Sequence, residues 1–213
     1  MKGELSPKKC GLTDEQILQI RARVCGYMRG EREHYLYMGK PLDSEQVAVM
    51  RPFFSPTLLA GVKVVQLVGH RITEHPFFQE ARALGIQGLP ELSHMASVTF
   101  EDVLVFNEKI TERLLFHALV PSVQFQVLGM ERYMELYLRA LLDTRWRFSV
   151  PLVAHIFELE SRFAADRETP FSVEDEVRTE HCEPILDSSR NAVLSVDSGG
   201  LIGHTNKWPK GAS

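Results

Sequence analysis

Between Asn107 and Arg167 the chain carries three successive runs of apolar residues at helical spacing, and this stretch constrains its fold more than any other. In ITERLLFHALVPSVQFQVLG, Leu114, Leu115, Ala118, Leu119, Ser122 and Val123 recur every three or four positions, and Gly129 supplies a stop. The next run, MERYMELYLRALLD, places Tyr133, Leu136, Tyr137, Ala140 and Leu141 on one face. Ser149 and Pro151 open the third, PLVAHIFELESRFAADR. Three consecutive amphipathic helices must bury their apolar stripes against each other or against a sheet, so a helical layer is unavoidable.

Upstream the pattern is mixed. Thr13 with Gln16 has capping-box spacing and starts DEQILQIRARV, where Ile17, Leu18, Ile20 and Val24 fall on one face; Gly26 reads as the stop. Residues 29–43 alternate polar and aromatic and read as a loop. A second helix begins near Ser44 and runs through Val47 and Met50 to Pro52, and Ser55-Pro56 is a further start signal. Val62–Val68 is short, valine-rich and bounded by Gly61 and Gly69, which argues for a strand. Residues 69–97 hold turn signals at His75-Pro76, Gly85, Gly88 and Leu89-Pro90. Val98–Phe106 reads as a second strand, and Phe171-Ser172 before Glu174–Glu176 as a last short helix start. Beyond about residue 181 the period dissolves into a flexible tail with one weak strand at Asn191–Val196. The expected fold is α+β and mainly helical, with a small sheet of at least two strands. It divides into an N-terminal helical segment (1–50), a main domain (51–180) and the tail (181–213).

Composition narrows the function classes. A net charge of -4 without a basic stripe is poorly suited to phosphate backbones, so nucleic acid is not an expected partner. Cys10, Cys25 and Cys182 are scattered without a C-x-x-C spacing and read as reduced thiols. The opening residues have lysines with no apolar run behind them, so no signal peptide is expected. No apolar stretch approaches the ~18 residues that span a bilayer. A cytoplasmic protein without membrane contact is expected.

The segment LLFHALVPSVQFQVLG, Leu114 to Gly129, resembles the motif helix of an uncharacterised bacterial zinc metallopeptidase-like (gluzincin-like) family, whose pattern reads F-H-E-L-V-H-x-x-Q-[YF]-x-x-L-G. In that HExxH motif two histidines one turn apart hold zinc and the glutamate polarises its water; a third ligand, a glutamate, comes from a later helix opened by P-L-E. The resemblance runs from about Arg51 to Val177. Gln124, Phe125, Leu128 and Gly129 keep the pattern, as do Tyr137, Glu160 and Arg162-Phe163. It implies a zincin-like motif helix beside a small sheet, with Val98–Phe106 as the strand that would receive extended substrate.

The departures lie in the chemistry. His117 stands at the first histidine position, Ala118 at the catalytic glutamate, Pro121 at the second histidine and Val153 at the third ligand. One imidazole cannot hold catalytic zinc, so no cofactor and no catalytic residue is expected. The four positions are vestigial, with Gln124 and Tyr137 as neighbours of the former site. Pro121 inside a helix lacks the N–H that would bond the His117 carbonyl, so a kink or loosening is expected there. His155, two positions after Val153, should point away, Ile156 and Phe157 share the Val153 face, and Glu158 and Glu160 read as solvated charges or partners of Arg162.

Elsewhere the chemistry is thin. His70, His75 and His94 match no metal template, Ser122 and Ser149 lack a G-x-S-x-G context, and no phosphate-binding glycine loop occurs. The aromatic run Tyr27–Met38 reads as packed on the core rather than as a partner surface. The functional expectation is an inactive metallopeptidase-like protein that binds an unknown protein or peptide. The alternative is an active hydrolase with a relocated metal site or unrecognised residues.

Overall fold

Thr13 opens the first helix, α1 (Asp14–Leu36), in a computed structural model that describes residues 13–83, 91–142 and 150–182. The Gln16 N–H donates to the Thr13 hydroxyl at 3.2 Å, and the Thr13 N–H donates to the Gln16 side chain at 2.8 Å. The helix passes the stop expected at Gly26 and takes in the first part of the expected loop. A helical glycine costs about 1 kcal/mol relative to alanine. Burial of Tyr27, Met28 and Tyr35 offsets that cost, at about 1.5–3 kcal/mol for each large side chain.

Helix α2 (Ser44–Met50) starts from a second capping box, Asp43 with Gln46, and α3 (Pro56–Gly61) from the Ser55 hydroxyl with proline at the first position. Strand β1 (Lys63–Gln66) occupies the centre of the valine-rich run. The turn-rich middle holds a helix that its punctuation conceals, α4 (Pro76–Ala83), which begins at the proline of His75-Pro76. A 3₁₀ turn at Leu92–His94 follows.

The expected single strand at Val98–Phe106 is a hairpin of β2 (Ser97–Phe100) and β3 (Val103–Phe106). Two polar residues divide the run. Glu101 takes a left-handed φ of 56°, and Asp102 receives two hydrogen bonds from Arg32 of α1, at 2.5 and 2.7 Å. Strand order is β1-β3-β2: β1 pairs parallel with β3 from Lys63 opposite Val103, and β2 pairs antiparallel from Ser97 opposite Phe106.

Four helices complete the chain: α5 (Glu112–Leu128), α6 (Met130–Leu142), α7 (Pro151–Ala165) and α8 (Val173–Cys182). The three runs of the opening argument are α5, α6 and α7, and Gly129, at φ 74°, separates the first two. The sheet has apolar clusters on both faces. Val103 and Val105 of β3 face α1 and α6, whereas Leu104 and Phe106 face α5, α7 and α8, as strand alternation requires. Phe116 of α5 stacks on Phe163 of α7 at 4.3 Å, with Phe53 edge-on to both and Phe171 edge-on to Phe53. The architecture is α+β and mainly helical, with α1 packed into the same core as the main domain.

Among the described residues no helix is long and apolar enough to cross a membrane. Cys25 and Cys182 are free thiols, the first buried and the second exposed. The segment expected as a tail lies outside the described residues from Glu183 onward, as do Cys10, Ser149, Gly85, Gly88 and Leu89-Pro90.

Candidate functional site: a cavity beside the fifth helix

One face of α5 presents His117, Ala118, Pro121 and Phe125 to a cavity of about 200 Å³, with His117, Pro121 and Phe125 each about one turn apart. Helix α7 adds Val153, Ile156 and Phe157, again one turn apart. Across from them stand Tyr133, Met134, Tyr137 and Leu138 of α6, and Val24, Tyr27 and Met28 of α1. The edge strand β2 supplies Ser97, Val98 and Thr99. All four vestigial positions therefore line a single cavity together with Tyr137. Three apolar residues at those positions are compatible with a site packed shut; the structure instead leaves it hollow.

Gln124 takes a different place. It is fully buried, and its amide N–H donates to the Leu152 carbonyl at 3.1 Å, which ties α5 to the first turn of α7. Its Oε1 has no hydrogen-bond partner among the described residues. Pro121 lies within a helix that continues from Glu112 to Leu128. The Thr99 hydroxyl donates to the Ala118 carbonyl at 2.7 Å, anchoring the edge strand to this turn of α5.

The polar feature of the site is His117. Its Nδ1 lies 2.6 Å from Glu160 Oε2, while Arg113 Nε donates to Glu160 Oε1 at 2.5 Å. Glu160 is buried and does not line the cavity, in contrast to the expected solvated charge or partner of Arg162. Arg162 instead pairs with Glu176 and lies over the Phe171 ring. Spacing carried a signal for this contact: Glu160 follows Phe157 by three and Ile156 by four, so it continues the Val153 face of α7. Burial acts to raise the Glu160 carboxyl, but hydrogen bonds from His117 and Arg113 outweigh it and hold the group below the usual carboxylate range.

A carboxylate only accepts, so His117 Nδ1 carries the proton in this bond. That leaves Nε2, which has no hydrogen bond among the described residues, as the ring nitrogen free to accept, on a residue that itself lines the cavity. The ring rests against Phe157 at 5.2 Å. Tyr133 and Tyr137 add hydroxyls that burial keeps protonated; the Tyr137 phenol is pushed up to about 12 and that of Tyr133 further, by burial and then by Tyr137.

These residues do not fit catalytic zinc. His117 offers one nitrogen, Ala118, Pro121 and Val153 offer none, and no group of three or more His, Cys, Asp or Glu is gathered for a metal among the described residues. His155 is absent from the cavity wall, as its offset from Val153 implies. It is buried against α8, with Nδ1 3.1 Å from His181 Nε2. The histidines of the turn-rich middle are dispersed: His70 approaches the Val68 carbonyl, His75 the Tyr27 ring and His94 the Glu91 carboxylate. Ser122 donates to the Glu101 carbonyl at 2.6 Å. In the aromatic run, Tyr27, Met28 and Tyr35 are buried in the core while Tyr37 and Met38 are exposed.

Comparison with protein-family models, curated proteins and solved structures finds no match for this chain.

Proposed function

We propose that this chain is a catalytically inactive, metallopeptidase-like binding protein, and that the hollow beside α5 is its binding site, receiving an apolar group of a partner peptide or protein. One observation carries the reading: the four positions that would hold zinc and its base line one cavity, and the remaining histidine is held there by a buried carboxylate. A carboxylate on one ring nitrogen with the other directed at the site is how metal-ligating histidines are oriented. Here that support persists beside apolar residues that can hold no metal.

The test is zinc-dependent melting of the parent and of the triple variant Ala118→Glu, Pro121→His, Val153→Glu. The parent should melt at one temperature with or without zinc. The variant, less stable without metal because charged groups enter an apolar wall, should recover with zinc, which stabilises only the folded state. A folded variant indifferent to zinc removes the metallopeptidase-like assignment, and about one zinc per parent chain after dialysis removes the inactive one.

The Glu160–His117 pair also favours a second reading, a hydrolase with His117 as general base, since a carboxylate-oriented imidazole can accept a proton through Nε2. Turnover of small ester or amide substrates that disappears in His117→Phe would establish it.

A further inference from the structure

We infer that the cavity selects a neutral, single-ring apolar group carrying one hydrogen-bond donor, a phenol-type group, whose donor meets His117 Nε2. The inference rests on the cavity being the binding site and adds the chemistry of its occupant.

Size comes first. An apolar cavity of about 150 Å³ stays dry and accepts benzene, so about 200 Å³ suits one substituted ring. Walls of Phe125, Met134, Leu138 and Val153 offer dispersion contacts over most of the hollow's body. Charge comes second. Arg113 already neutralises Glu160, and the His117 Nδ1–H completes the carboxylate's second hydrogen bond. An anionic occupant would bring an unbalanced charge into an apolar site, which is costly without a paired cation. A neutral donor requires no such change. The Nε2 lone pair accepts it directly, a hydrogen bond that an occupant without a donor does not make.

A phenol-type group could arrive as a free small molecule or as a tyrosine side chain of a partner, and the chemistry of recognition is the same. The test is titration of the full chain with phenol, toluene, benzoate and N-acetyl-tyrosinamide, by calorimetry and by ¹⁵N spectra of the histidine rings. Phenol should bind, move the His117 Nε2 resonance and bind at least as tightly as toluene, which should leave that resonance in place. In His117→Phe, phenol should weaken by about ten-fold while toluene stays within about two-fold. Tighter binding of N-acetyl-tyrosinamide than of phenol would support a peptide source, and binding of phenol alone a free ligand. Toluene binding without a phenol preference, or an unmoved Nε2 resonance in the parent, overturns the inference and leaves the apolar binding site standing. Benzoate binding more tightly than phenol overturns the neutral-donor assignment. No binding by any of the four overturns both. The spectral readout on the parent decides the matter even if the variant does not fold.

Discussion

Pro121 and Glu160 both bear on the turn of α5 that carries His117, the first through the backbone and the second through the imidazole. Pro121 has no N–H for the His117 carbonyl, and α5 tolerates the loss because its neighbours pack it and Thr99 bonds the adjacent carbonyl. Pro121→Ala restores a donor, and thermal melts should show a gain of about 1–3 kcal/mol, reduced by whatever wall contact the ring provides. A clear loss would mean the proline fits a break that α5 requires. Glu160 acts in the other direction. Its carboxyl is held below the usual range, so the native state binds fewer protons than the unfolded chain in mild acid. Its stabilisation is therefore fully present above the unfolded value of about 4.3 and lost as pH falls through the lower native value. Urea titrations between about pH 3 and 7 should show a shallower acid limb in Glu160→Gln than in the parent, with lower stability at neutral pH.

At the scale of elements, α7 and α8 meet through a pair of imidazoles. His181 is pushed below its ordinary value by burial and then by His155, with Glu180 acting weakly the other way. A depressed histidine contributes stability above its unfolded value of about 6.5, and that contribution is lost as pH falls through the native value. Protonation of His181 would place a charge in this half-buried contact, 3.1 Å from His155 Nδ1. The α8 amides should therefore lose hydrogen-exchange protection on going from about pH 7 to pH 5, while β3, buried throughout, should not. In His181→Gln that pH dependence should vanish; its persistence would place the sensitivity elsewhere. What the chain disclosed in advance about these elements follows a physical divide. Local signals were legible: the Thr13 box, Ser55-Pro56, the Gly129 stop and the helical spacing that puts His117 and Pro121 on one face of α5; only the resemblance to the metallopeptidase-like motif brought Val153 to the same site. Features decided at long range were not. Gly26 and Gly30 stay helical because Tyr27 and Met28 find a core, and Val98–Phe106 folds back because Arg32 captures Asp102. The α1 and α6 walls of the cavity likewise depend on tertiary packing, which no spacing within α5 could reveal.

For the molecule as a whole, the sheet has apolar clusters on both faces, and the cavity is bounded by five helices and an edge strand. Native interiors are ordinarily filled to crystal-like density, so whatever part of this half-open hollow of about 200 Å³ stays dry is volume that the folded state holds and the unfolded chain does not. Compression favours whichever state is smaller. This protein should therefore yield to hydrostatic pressure more readily than a well-filled domain of its length, with an unfolding volume toward the large end of the roughly 20–100 mL/mol decrease usual for proteins. Val153→Phe, which extends the wall inward, should shrink that volume change even if its melting temperature barely moves. High-pressure fluorescence of the two chains would show it, and equal volume changes would mean that water already fills the space. Any occupant of the site would act in the same sense, so resistance to pressure becomes a way to detect ligands that leave heat stability almost unchanged.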